Sequence, residues 1–553
     1  MVCCTLLGSS QAQTGRHNAE TAQYLNLFNR LFKELDLNYV DTLQTQQAIE
    51  TAINSMLESL DPFTNYYPAE KADEFHQMTT GKYAGIGSVI SFHKGHDRCI
   101  ISMPYAQMPA ALAGLRRGDV ILAINGTDMP PCGSRIQQKY SDSVSSQLRG
   151  EPGTTLRLRV QRYGEKEPLE FTLVRKTIAL PSVPFSCMMN DSVGYIAIEK
   201  FQENTSLETK QALARLKGQG ARYLMVDLRG NPGGLMMEAV KTLNLFLPRS
   251  TEVVCTKGKV KERNQTFRTT DIPTDTDIPI VVLVDYGTAS AGEIMAGALQ
   301  DYDRAVIVGQ RTYGKGLVQE PRELPNGAIV KLTTCKYYIP SGRCVQAYEF
   351  RDGEPQHLPD SLSRQFFTKA GRPVRDCGGI TPDIEVTVDT LPNLIAYLES
   401  SDQVSDFVAR YHSQHPEIAP AKDFRLTQEE YDTFTDFLKE SNFTYDRQSS
   451  HALNLLRHLA ELEGYAEQAK EDFEALEQKL THNADHDYRH WEPEIRQVIE
   501  LAILTDYYYQ EGSYLHNLRV SKEVKEGLDI LTHQEIYQSI LTPSGHTHAK
   551  HKR

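Results

Sequence analysis

Short, nearly continuous apolar runs dominate the middle of this chain: GYIAIEKF from Gly194, RYLMVDLRGN from Arg222, IPIVVLVD from Ile278, RAVIVGQ from Arg304 and KLTTCKYYIP from Lys331. A strand with one wet face alternates apolar and polar residues. Strands that do not alternate are dry on both faces, the condition of a mostly parallel sheet covered by helices. Between the runs the text changes to helical spacing, as in SLETKQALARLKGQG and GLMMEAVKTLNLFL, so this region reads as α/β. KLTTCKYYIP, from Lys331, reads as a fifth strand of the same kind.

The flanks read differently. From Ala19 to Asp73 apolar residues recur at three and four, predicting a helical lead-in that Pro62 interrupts. Residues 81–176 change to period two, with turn residues between the runs, predicting a compact β-rich module. Beyond residue 390 long polar helices with apolar stripes follow, and the stripes predict packing within the chain or a homo-oligomer contact through the helical terminal regions. The expected divisions are 1–15, 16–75, 76–178, 179–390 with an insertion at about 352–379, and 391–553. The opening MVCCTLLGSSQAQTG resembles the later half of a secretory signal whose charged start is missing.

The balance of 59 basic and 72 acidic residues, net −13, excludes a nucleic-acid surface over most of the molecule. No apolar run approaches the roughly 20 residues that span a bilayer. Nine cysteines show no C-x-x-C pair, and the final HTHAKHKR reads as a solvated tail, so neither a metal nor a cofactor is expected.

The candidate chemistry lies at the ends of the apolar runs. Ser290 follows IPIVVLVD and opens a helix, where the helix dipole favours developing negative charge. Ser290 and Glu293 also fit the S-x-x-E capping box, so a helix cap and a nucleophile are both open at this position. DLRGNPGGL puts Gly233 and Gly234 at a strand-to-helix turn, where backbone N–H groups can face an oxyanion together with the Ala291 N–H. The GTASAGE segment and the strand after it contain no histidine, and the nearest base is Lys315 in RTYGKGLVQ. A lysine takes a serine proton only as the free amine, so the site must lower its pKa, for which burial suffices. Gly314 and Gly316 would let the backbone pass close to the reacting centre, and Gln319 can orient the amine without the ion pair a carboxylate would make. In the β-rich module, YAGIGSV followed by MPAALAGLRRGDVILAING resembles a PDZ domain. That likeness implies a carboxylate-binding loop at Tyr83, Ala84, Gly85, Ile86 and Gly87.

DLRGNPGG, TASAGE and YGKGLVQ, in that order, with Lys315 25 residues after Ser290, resemble signatures of the carboxy-terminal processing (tail-specific) proteases. SLDPFTNYY, YYIPSGRCVQ and GITPDIEV extend the likeness over about residues 20–390. The resemblance implies a serine endopeptidase with Ser290 as nucleophile, Lys315 as general base, Gln319 as its orienting partner, and oxyanion donors at Ala291 and Gly233 or Gly234. It implies a multidomain α/β architecture: a helical N-terminal segment, a PDZ domain, a protease core of the crotonase/Clp-protease type and a helical C-terminal domain. It further implies substrates with accessible C-termini and a bacterial, periplasmic location. Phe63 stands where many relatives carry histidine, and the insertion from Asp352 to Gly379 is long. The rival from a different class is a PDZ scaffold that binds tails on a degenerate hydrolase core without cutting them.

Overall fold

The computed structural model describes residues 5–72, 75, 80–387, 390–480 and 483–542, with backbone alone for 5–17. The chain forms two compact units: residues 1–72, 318–335 and 348–357 make one, and residues 73–317, 336–347 and 358–553 the other.

In the first unit two helices, Thr5–Asn38 and Thr45–Glu58, realise the predicted lead-in. The expected signal segment, 1–15, lies outside the described residues at 1–4 and otherwise continues the first helix from Thr5. Asn65–Tyr67 then pairs antiparallel with the strand Ile329–Tyr338, Asn65 opposite Lys331. KLTTCKYYIP is therefore not a fifth strand of the parallel sheet. It belongs to a separate sheet, and its residues from Val330 to Thr334 are only half-buried. Its β-branched residues promise a strand, but nothing local in them specifies which sheet accepts it.

The second unit is built around a six-stranded sheet in the order Phe185–Met188, Val193–Ala197, Tyr223–Asp227, Ile280–Val284, Ala305–Gly309, Ile384–Glu385. The first pair is antiparallel and the rest are parallel. Four of the apolar runs are its four central strands, and all but Tyr223 of the strand residues are buried. Helices Thr205–Gly218, Met236–Leu243 and Ala291–Asp301 pack side by side, and Gly194 approaches Leu216 so closely that a Cβ would come within 3.1 Å of it. The alternate strand residues, among them Tyr195, Met225, Val281, Leu283 and Val306, pack against Val524, Ile530, Leu531 and Tyr537 of helices near the end of the chain. A Cβ on Gly527 would meet Met225, Val281 and Leu283 within 3.3 Å, which is why that helix sits flush on the sheet.

The β-rich module is an antiparallel sheet of Ser88–His93, Arg98–Pro104, Val120–Ile124, Thr155–Gln161 and Leu169–Val174, closed by the helix Gln137–Leu148 over its own core. The helices after residue 390 enclose another core around Phe407, Phe434, Tyr431, Ile495, Ile499 and Ile503. Within-chain packing is thus one destination of the apolar stripes.

Candidate active site

The buried strand Ile280–Val284 ends at Asp285, and the turn that follows is stitched to the DLRGN loop. Asp285 Oδ1 accepts from Gly230 N–H at 2.8 Å, the Thr288 hydroxyl donates to the Leu228 carbonyl at 2.7 Å, and Ala289 N–H donates to the Asn231 carbonyl at 2.8 Å. Asn231 is itself fully buried, its Nδ2 donating to the Ile198 carbonyl at 2.7 Å. Two loops from neighbouring strands therefore act as one rigid rim at the carboxyl end of the sheet.

On that rim Ser290 starts the helix Ala291–Asp301 with φ 52° and ψ −113°. An N-cap residue ordinarily holds extended dihedrals. A non-glycine residue in this region costs on the order of 1–3 kcal/mol and persists only where its surroundings over-determine it. The restraints are visible: Ser290 N–H donates to Glu293 Oε2 at 2.8 Å, and the Ser290 carbonyl accepts from the Tyr337 hydroxyl at 3.2 Å and from Ile294 N–H at 2.9 Å. The capping box is present, in a serine whose backbone a cap alone does not require.

Glu293 is the centre of the arrangement. It has no exposed surface, and its carboxylate takes four donors, none of them a cation. Oε1 accepts from the Thr312 hydroxyl at 2.6 Å and Gly314 N–H at 2.8 Å; Oε2 accepts from Ser290 N–H and Lys315 N–H, each at 2.8 Å. Burial pushes the Glu293 carboxyl up from its ordinary range, and the four donors oppose that rise. With every position filled by a donor, the ionised form is the one that fits. Because the amides of Ser290 and Lys315 share one oxygen, residues 25 apart in sequence are held within twice 2.8 Å of each other at their backbone nitrogens.

Gly233 and Gly234 lie against this turn. A Cβ on Gly233 would fall 2.7 Å from Ser290 Cβ and 2.9 Å from Ala291 N, and one on Gly234 would fall 2.0 Å from the Phe201 carbonyl oxygen. Both have positive φ, 98° and 134°, so glycine is required twice over. The Gly233 N–H donates to Asn231 Oδ1 at 2.8 Å. Gly314 and Gly316 also face a second segment of the chain. Their missing side chains admit the segment 344–347, with Ala347 Cβ 2.4 Å from where a Gly314 Cβ would be and Gln346 N 2.8 Å from a Gly316 Cβ.

Gln319 belongs to the first unit, where its Nε2 donates to the Thr333 hydroxyl oxygen at 3.2 Å. Of the expected carboxylate loop, Tyr83, Ala84 and Gly85 lie in the strand Lys82–Gly85, paired with Lys176–Ala179, which leaves Ile86 and Gly87 as the turn into the next strand. A cavity of about 650 Å³ runs along Asp227, Arg229, Gly230 and Asp285. Among the described residues one group has metal-ligand types, His93, His96 and Asp406. His93 Nδ1 already accepts from His96 N–H at 3.1 Å, so Nε2 carries the proton toward Asp406, the wrong tautomer for a metal bound there. Sequence reasoning read Glu293 only as a capping residue and passed over Asn231, Thr312 and Tyr337. The S-x-x-E spacing carried half of that signal; the other donors come from distant segments.

The family model described as Peptidase family S41 matches residues 192–353, a PDZ domain model matches 100–162, and "Probable PDZ-protease, C-terminal helical domain" matches 394–531. The chain is 39% identical over 304 residues to a carboxyl-terminal-processing protease of Synechocystis sp., covering 54% of this chain and 68% of that one. It is 33% identical over 346 residues to a carboxy-terminal-processing protease of Bartonella bacilliformis, covering 62% of this chain and 77% of that one. Among solved structures it is similar to the photosystem II D1 C-terminal processing protease, with 26% identity, 65% of this chain and 87% of that one covered, and a TM-score of 0.35.

Proposed function

The chain belongs to the carboxyl-terminal-processing proteases, serine peptidases of family S41 that carry a PDZ domain, and from that premise we propose which of its atoms carry out the hydrolysis. Ser290 is the nucleophile, Lys315 its general base, and Gln319, four residues further along the chain, the group that orients the lysine. The observation that carries this reading is the single Glu293 oxygen shared by the amides of Ser290 and Lys315, beside a serine held in a strained backbone.

The neutral Lys315 amine takes the proton from Ser290 Oγ as that oxygen bonds to the scissile carbonyl carbon. The carbonyl oxygen, now negative, lies on the N–H groups of Ala291 and Gly234; Gly233 is the poorer donor because its N–H is already given to Asn231. Lys315 then returns the proton to the departing amine, leaving an acyl-enzyme. Water attacks the ester with the lysine again as base, and Ser290 is regenerated.

The segment Tyr83, Ala84, Gly85, Ile86 and Gly87 receives the substrate's C-terminal carboxylate while the peptide adds to the edge of the PDZ sheet. The Gly-rich oxyanion turn at the carboxyl end of a mostly parallel sheet supports a core of the crotonase/Clp-protease type. The domain limits 16–75, 76–178, 179–390 and 391–553 go with this reading, as do export and a periplasmic location. No helix among the described residues is long and apolar enough to cross a membrane. Exposed Tyr24, Leu25, Leu27 and Leu31 on the first helix support a homo-oligomer contact there.

The test is cleavage of an unstructured substrate with an apolar C-terminus. Ser290→Ala and Lys315→Ala should each abolish cleavage with circular dichroism unchanged. Lys315→Arg should fail as well, since a guanidinium does not deprotonate. Activity surviving in any of the three removes the assignment.

A further inference from the structure

The motif YYIPSGRCVQ, Tyr337 to Gln346, ends on a residue that takes no part in the chemistry above, yet Gln346 is only 5% exposed. Its Oε1 accepts from Gly316 N–H at 2.7 Å. The approach requires glycine at 316, where a Cβ would fall 2.8 Å from Gln346 N and 2.9 Å from Gln346 Cβ. The backbone on either side is knitted to the same motif and its continuation: Ala347 N–H donates to the Gly314 carbonyl and Tyr337 N–H to the Gly316 carbonyl, each at 2.9 Å. Gly379 N–H donates to the Val345 carbonyl at 2.9 Å, holding that segment in turn.

A peptide unit is planar, so the direction in which a side chain leaves its Cα is set by the two units that meet there. At Lys315 the first unit is held at both ends, its Gly314 carbonyl by Ala347 and its own N–H by Glu293 Oε2 at 2.8 Å. The second unit runs from the Lys315 carbonyl to Gly316 N–H, and Gln346 holds it. Glu293 thus acts on one side of the Lys315 Cα and Gln346 on the other. A backbone N–H only donates, so the carbonyl end of the Gln346 amide is the end that faces the loop. That acceptor is uncharged. A carboxylate there would meet Gly316 N–H equally well, but its charge would favour the ammonium form of a lysine that must act as the free amine.

We propose that Gln346 is a positioning residue for the catalytic lysine, fixing the Lys315–Gly316 peptide plane with a neutral acceptor and so aiming the Lys315 side chain; this rests on the assignment of Lys315 made above.

The test uses the full chain and peptide cleavage across pH with Gln346→Met, Gln346→Glu and Lys315→Ala. Gln346→Met keeps the length of the side chain and removes the acceptor, so the buried Gly316 N–H is left unpaired unless its peptide plane turns. It should lower kcat about ten- to hundredfold, the scale of a misplaced catalytic group, with KM unchanged. Gln346→Glu keeps the acceptor, so kcat on the alkaline plateau should stay well above that of Gln346→Met. The acid limb of its kcat/KM profile should move to higher pH, by about one unit, as a new anion raises the lysine pKa. Glu293, Tyr337 and Cys344, whose Sγ lies 3.0 Å from where a Gly316 Cβ would be, are titratable groups already against this loop and are unchanged in both variants. Packing alone predicts the opposite order, since an apolar methionine suits a buried position better than a glutamate.

Wild-type kcat in Gln346→Met with Lys315→Ala inactive overturns this inference and leaves the assignment of Lys315 standing. A loss in KM alone, or Gln346→Glu as slow as Gln346→Met at every pH, overturns it too. An acid limb that stays in place in Gln346→Glu overturns the need for a neutral acceptor. Full activity in Lys315→Ala overturns both readings together. If Gln346→Met fails to fold by circular dichroism, the plateau and acid limb of Gln346→Glu decide.

Discussion

The two ends of the helix Ala291–Asp301 bury carboxylates in opposite ways. At its start Glu293 is surrounded by a hydroxyl and three backbone N–H groups, with no cation among its hydrogen-bond partners. At its end Asp301 forms an ion pair with Arg343 at 2.9 Å, both about 1% exposed at the side chain, and Arg372 joins Asp303 at 2.6 Å to Asp383 at 2.5 Å. Burial pushes Asp301 up and Arg343 down, each opposed by the other's charge. The ion pairs fasten the loops after residue 340 to the core. The cradle of neutral donors does the same for residues 312–315, and it places no guanidinium beside the Ser290 and Lys315 proposed above as nucleophile and base. Where charge has to appear and vanish during a reaction, dipoles fixed by the fold serve better than a permanent counter-ion.

The largest effect that would separate the two ends is on stability. Arg343→Met leaves Asp301 buried and unpaired and should cost about 3–5 kcal/mol in denaturant unfolding, while kcat of the folded fraction is unchanged. Glu293→Gln should do the reverse. Its NH₂ must face two N–H or O–H donors, and cleavage should fall by about 10² or more, or roughly 2.7 kcal/mol of activation free energy, with a smaller loss of stability. If Glu293→Gln only destabilises and keeps wild-type kcat, the two ends are alike and the comparison fails.

A third buried cluster sharpens the point by its pH dependence. His516, 1% exposed, is held down to about 4, first by burial and then by Arg519 and Arg425. The unfolded chain binds this proton more readily than the folded one between about pH 6.5 and 4, so stability should fall as pH drops through that window. The loss is about 2–3 kcal/mol from the size of the shift, and thermal melts should show it removed in His516→Gln. Loss of stability confined to alkaline pH would contradict it. The smallest effect belongs to Tyr337→Phe. Its hydroxyl gives the Ser290 carbonyl a second bond at 3.2 Å, so removal should cost about 0.5–1.5 kcal/mol and a few-fold in kcat.

Much of this was legible in the letters. Four runs without alternation specify strands dry on both faces, and they became the four central strands of the sheet. The serine at a helix start, the paired glycines before another helix and the period-two module are local patterns, and local patterns survive translation because backbone geometry repeats every few residues. Of the five residues read as a loop, Tyr83, Ala84 and Gly85 are ladder residues, because their pairing partners lie about 90 residues away in the chain.

What the sequence by itself determined, then, is which segments are strands and helices and that a serine, a glycine turn and a lysine come to the carboxyl end of one sheet. Tertiary structure alone decided the rest. It sent Lys331 to another sheet and brought Val524, Ile530 and Tyr537 back over 200 residues to cover the open face. It made Glu293 the common acceptor for the Ser290 and Lys315 amides. The physical reason is the range of the forces: periodicity is fixed by neighbours in the chain, whereas a buried polar group is satisfied by whichever donors the folded chain delivers.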